Sequence, residues 1–121
     1  MTRVIHFEIP ADDPDRAIGF YKNAFGWKIE KWSGPMDYWM VNTGDEKAPG
    51  INGAIMKRGD VKNTTNTLGV ESLDASVAAV TKAGGTLIMP KTPIPGVGYF
   101  AYCLDPEGNL FGMMQADVNA K

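Results

Sequence analysis

The stretch Val4-Ile5-His6-Phe7-Glu8-Ile9, running on through Asp13-Pro14 to Phe20-Tyr21 and Phe25-Gly26-Trp27, decides the fold. Its first six residues alternate. Ile5, Phe7 and Ile9 point one way and Val4, His6 and Glu8 the other, the period of a strand with one face on a core. Asp13 then offers a helix cap, and Pro14 suits the first helical position, where no amide hydrogen is needed. Ala17, Phe20, Tyr21, Ala24 and Phe25 follow at helical spacing, and Gly26 suits the left-handed residue that ends a helix.

Outward from this stretch, strands are predicted at residues 27–32, 38–43 and 52–57, with a turn at Ser33-Gly34-Pro35. The pattern then restarts. Residues 65–70 alternate, Ser72 is a cap, Leu73, Val77 and Val80 form a helical stripe, and Gly84-Gly85 stops it. Strands follow at 86–89, 98–104 and 110–115, with a tight turn at Asp105-Pro106-Glu107-Gly108-Asn109. Residues 90–98, rich in Pro and Gly, read as a loop, and the tail from Ala116 reads as frayed. The order strand, helix, strand, strand, strand therefore occurs twice, at about residues 3–58 and 65–117. Short turns join most strands, so an all-parallel sheet is not expected.

The chain of 121 residues has the length of a single domain, and its net charge is −2. Its basic residues are scattered, with Lys57-Arg58 the densest pair, which leaves no footprint for nucleic acid or an anionic membrane. No apolar run approaches membrane-spanning length. No basic start with an apolar stretch behind it suggests a signal peptide, so a cytoplasmic location is expected by default. The single cysteine, Cys103, sits in the apolar run Phe100-Ala101-Tyr102-Cys103-Leu104 and reads as a buried hydrophobe.

The doubled pattern resembles the glyoxalase, bleomycin-resistance and dioxygenase superfamily, the vicinal oxygen chelate fold. Three stretches carry the resemblance: the opening one, Ala83-Gly84-Gly85 after the second helix, and Asp105-Pro106-Glu107-Gly108-Asn109 before the last strand. It implies an α+β fold over residues 1–121, with the two βαβββ modules forming a cleft-containing, partly open mixed β-sheet barrel. It also implies a homodimer. Enzymes of the superfamily commonly hold a divalent metal through His and Glu from the first and last strand of each half. His6 matches the first such position. Thr65 falls near the second histidine, Gly112 where a glutamate would stand, and the fourth strand has no carboxylate between Asn52 and Met56.

His6 is the only histidine, which excludes a site of two histidines and one carboxylate. A metal held by His6, Glu8 and, after a one-residue register shift, Gln115 is disfavoured, and no cofactor is expected. His6 and Glu8 share a strand face with Cα atoms about 7 Å apart. Glu8 can serve as a general base and His6 as an acid or base, or both can be held in structural bonds. Alternation places Tyr38, Met40 and Asn42 on one face and Trp39 and Val41 on the core face. Tyr38 and Tyr99 are the aromatic candidates for contact with a flat or apolar ligand, beside His6, Glu8 and Gln115. Residues 44–50 and 90–98 are loops able to close over a cleft.

The leading expectation is a protein that binds a small molecule in its cleft without the full metal site of the superfamily. The alternative is a superfamily enzyme (lyase, isomerase or dioxygenase-like) acting on a small oxygen-rich substrate, with Glu8 or His6 in acid–base or ligand roles. A third is a partner module with an unused cleft.

Overall fold

Alternation from residue 4 produces a long first strand, β1 (Arg3–Ala11), and the Asp13-Pro14 pair then starts α1 (Pro14–Phe25) as its chemistry dictates. The Asp13 side chain accepts a hydrogen bond from the Arg16 amide, and Gly26 closes the helix at φ 71° with its amide donating to the Lys22 carbonyl. The computed structural model describes residues 1–121. The remaining elements are β2 (Lys28–Lys31), β3 (Tyr38–Asn42), β4 (Gly53–Lys57), β5 (Thr65–Gly69), α2 (Leu73–Lys82), β6 (Thr86–Ile94), β7 (Gly98–Leu104) and β8 (Leu110–Ala116). No helix is long and apolar enough to cross a membrane.

Two compact units result: His6–Thr65, and Met1–Ile5 with Asn66–Lys121. They follow the repeat, except that the first residues of β1 cluster with the later unit. In the earlier unit the strand order is β2-β3-β4-β1. β2, β3 and β4 form an antiparallel meander, and β4 returns parallel to β1 with Phe7 level with Gly53 and Glu8 level with Ala54. The later unit repeats this as β5-β8-β7-β6, with β5 and β8 parallel and Thr67 level with Gly112. The fold class is therefore α+β with mixed strand directions. β2 in the earlier unit and β6 in the later one each have a neighbour on one side only and are edge strands.

Each unit has its own core. Ala11, Ile29, Val41 and Ile55 form the first, with Phe7, Ile9, Ala17, Ile18, Tyr21, Trp27 and Trp39 packed on it. Trp39 and Val41 thus lie on the core face, as alternation predicts. Phe20 and Phe25 do not. They are 58 % and 62 % exposed, and they pack edge to face on each other rather than on the sheet. Leu73, Ala101, Cys103 and Met113 form the second core. Cys103 is fully buried, and burial pushes its thiol pKa up.

Two local expectations are overturned. Residues 90–94 are strand, not loop: β6 runs through Pro90 and Pro93 to Ile94. β6 is an edge strand, and its pairing with β7 shifts register between Leu87 and Met89 and again between Met89 and Thr92. An edge or a bulge is where a strand tolerates the missing proline donor. The segment able to close over a cleft shrinks to the turn around Gly96, where the Val97 amide donates to the Ile94 carbonyl. The tail is not frayed either. Asp117 donates to Val97, the Ala120 carbonyl accepts from Gly96, and Ala120 is buried.

Candidate functional site

The polar face of β1 meets β3 through one side chain. Tyr38 opens β3, and its hydroxyl donates to Glu8 Oε2 at 2.8 Å while lying 2.8 Å from His6 Nε2. β4 stands between these strands. At the usual strand spacing, β3 and β1 are roughly 10 Å apart, so the tyrosine must cross β4 to reach its partners. The β4 residue level with Glu8 is Ala54, which is fully buried and offers only a methyl group. A small side chain there leaves the crossing open.

Tyr38 is held from several sides. Its ring lies nearly parallel to the His6 ring, 13° apart at 6.4 Å between centroids, and the Trp32 ring meets it edge on at 5.9 Å. Trp32 in turn folds onto Gly34, where any Cβ would stand 2.3 Å from the indole. The Ser33-Gly34-Pro35 turn therefore has a glycine because the tryptophan occupies the space. Sequence alone marks neither Trp32 nor Ala54 as part of the site. The glycine was the only local signal for the first, and nothing local pointed to the second.

Glu8 is 6 % exposed and His6 is half-buried. Burial lowers the His6 pKa below its ordinary value of 6.5, and the Glu8 carboxylate opposes that without reversing it. The folded protein thus favours the neutral ring. In the interval below 6.5 the unfolded chain binds more protons than the folded one, so stability falls as pH drops through it. A series of urea unfolding curves from about pH 7.5 down to 5 should show this loss in the wild type and a smaller one in His6→Gln.

Tyr99 and Gln115, the other two candidates, serve the later unit. Tyr99 packs against the second core with Lys91 Nζ 4.8 Å from its ring centroid. The Gln115 side-chain oxygen accepts from the Leu73 amide at 2.8 Å, satisfying a free donor at the start of α2. The register puts Tyr99 level with Gln115 and Tyr102 level with Gly112, so no one-residue shift brings Gln115 to the face of Gly112.

The residues do not fit the superfamily's metal. No group of three or more His, Cys, Asp or Glu side chains is placed to hold one. Of the donors present, His6 Nε2 and Glu8 Oε2 both bond to the Tyr38 hydroxyl. Gly112 is buried, and a Cβ there would stand 2.3 Å from the Phe100 ring, so an aromatic ring fills the space of a side chain. Thr65 and Thr67 are buried on β5, and neither hydroxyl has a hydrogen-bond partner. Such a group costs about 1–3 kcal/mol when left unmatched. Thr67→Val should therefore raise the stability of the ligand-free protein by about 1 kcal/mol, read from the denaturation midpoint. The later unit also carries a groove of about 600 Å³, lined by small and apolar side chains such as Ile5, Val70, Ala75 and Met114, with Glu71 the only charged one. It contains none of the candidate residues.

Comparison with known proteins agrees with this architecture. A family profile described as "Bleomycin resistance protein-like N-terminal" matches residues 3–44. A glyoxylase-like domain-containing protein of Didymella fabae is 33 % identical over 110 residues, which cover 84 % of each chain. A Mycobacterium bovis protein bearing the name glyoxylase CFP32 is 29 % identical over 89 % of this chain, which spans 42 % of that relative's length. Among solved structures, a variant of Streptomyces coelicolor methylmalonyl-CoA epimerase superposes with a TM-score of 0.73 at 17 % identity, covering 100 % of this chain and 99 % of its own.

Proposed function

Because the chain belongs to the glyoxalase, bleomycin-resistance and dioxygenase superfamily, we propose that it binds a small oxygen-rich molecule at the His6, Glu8 and Tyr38 face, without the complete metal site of that superfamily. One observation carries this reading: a carboxylate, a phenol and an imidazole are linked by two 2.8 Å bonds on a sheet face where Ala54, Met56 and Met40 are their nearest register neighbours, with Glu30 and Lys28 farther out on β2. A few placed polar groups among apolar neighbours are what orients a small ligand. No cofactor is part of this proposal. A homodimer and a cytoplasmic location belong to it as expectations.

A second reading has its own support. The His6–Tyr38–Glu8 chain joins an imidazole to a carboxylate through a hydroxyl, an arrangement able to move a proton, which favours lyase or isomerase chemistry on the same class of molecule. The Mycobacterium bovis relative carries the name glyoxylase, while the epimerase, at 17 % identity, supports the fold alone.

Two measurements test the proposal. Elemental analysis of the purified protein should find no stoichiometric divalent metal. A bound metal lost in His6→Ala would overturn it. A thermal-shift screen of small hydroxy and carbonyl compounds should yield a ligand whose effect is lost in Tyr38→Phe. A ligand at a hundred times its Kd stabilises the native state by about 2.7 kcal/mol, well within reach of such a screen. A ligand unaffected by Tyr38→Phe and Glu8→Gln would place binding elsewhere.

A further inference from the structure

We infer that Tyr38 locks His6 in the tautomer that carries its hydrogen on Nε2, making Nδ1 the basic atom the cluster presents. A phenol has one hydrogen to donate, and that of Tyr38 goes to Glu8 Oε2 at 2.8 Å. An ionised carboxylate only accepts, so it cannot return the favour. The Tyr38 oxygen, 2.8 Å from His6 Nε2, is then left as an acceptor, and Nε2 must be the donor. In a neutral imidazole one nitrogen carries the hydrogen and the other the lone pair, so the lone pair sits on Nδ1. The direction of the whole chain, Nε2–H to Oη–H to Oε2, is set by the carboxylate at its far end.

The arrangement has a chemical consequence. When Nδ1 takes a proton, Nε2 can pass its own to Tyr38 Oη while Tyr38 passes its own to Glu8 Oε2. The group that gave up the proton gains the negative charge, and the carboxylate ends neutral. Each bond in the chain shortens, breaks or forms between atoms already in contact, with no side chain moving. Tyr38 acts here as a positioning residue, since its role is exerted through His6. The near-parallel stacking of the two rings and the edge-on Trp32 hold it in place.

What the lock means for ligands rests on the proposed function, but the lock itself is a property of the ligand-free protein and is tested there. His6 is the only histidine, so its ring nitrogens need no assignment. Long-range proton–nitrogen correlation on the 15N-labelled full chain, at about pH 8 where the ring is neutral, should show Nε2 as N–H and Nδ1 as bare. In Tyr38→Phe the single tautomer should give way to a mixture. In Glu8→Leu, where Tyr38 loses this acceptor, the population should move toward Nδ1–H. A wild-type ring with its hydrogen on Nδ1, or with both tautomers populated, overturns the inference. So does a pattern unchanged in Tyr38→Phe, which removes one hydroxyl and decides the matter even if Glu8→Leu fails to fold. A lock present without any ligand in the screen above would sink the proposed function and leave this inference standing.

Discussion

Gly112→Glu should destabilise the protein by about 3–5 kcal/mol and create no metal site. The position is where the superfamily's glutamate would stand, so the substitution looks like a restoration. Physically it is an intrusion. Gly112 is buried on β8, level with Thr67 on one side and Tyr102 on the other. A Cβ alone would lie 2.3 and 2.9 Å from atoms of the Phe100 ring. That ring is itself 7 % exposed and packs edge on against Tyr102 at 4.7 Å, so it has little room to retreat. Overpacking of this kind costs about 1–3 kcal/mol, and an uncompensated buried carboxylate adds to it. Chemical denaturation of the variant with and without added zinc or manganese measures both parts. Metal-dependent recovery of stability would mean that the donor set is closer to complete than the geometry indicates.

Leu73→Ala should cost about 2–5 kcal/mol, the range for a large-to-small change in a well-packed core. Leu73 is fully buried at the first position of α2 and packs with Ala101, Cys103 and Met113. Its amide is also the donor to Gln115, so the residue ties the start of the helix to β8 twice, once by packing and once by a hydrogen bond. Urea unfolding separates the two. Leu73→Ala removes the packing and keeps the bond. Gln115→Leu removes the bond and should cost less, about 1–2 kcal/mol, because solvent can reach part of the helix end. Loss of the small-molecule effect in Gln115→Leu with stability intact would return Gln115 to the ligand site.

Some site candidates are legible before the fold and others are not. The alternation of β1 put His6 and Glu8 on one face because its other face is plainly apolar. In β3 the pattern separated Tyr38 from Trp39 and Val41 for the same reason, and both assignments agree with the cores. β7 gives no such contrast. Tyr99, Ala101 and Cys103 on one face and Phe100 and Tyr102 on the other are all apolar or aromatic, so Tyr99 could not be placed by pattern. The prolines of β6 misled for another reason: a proline forbids a central strand but not an edge, and edge position is not a local property.

By itself, then, the sequence determined the doubled order of elements, the helix starts at Asp13 and Ser72, and the shared face of His6 and Glu8. Each of these rests on residues within a few positions of one another, where backbone periodicity and capping chemistry act. Only the tertiary structure decided that Tyr38 crosses β4 to bridge His6 and Glu8, that Ala54 leaves it room, and that Phe100 fills the space at Gly112. Those relations depend on which strands lie side by side and in what register. That is settled by tertiary packing and strand pairing, over separations of 30 residues and more along the chain.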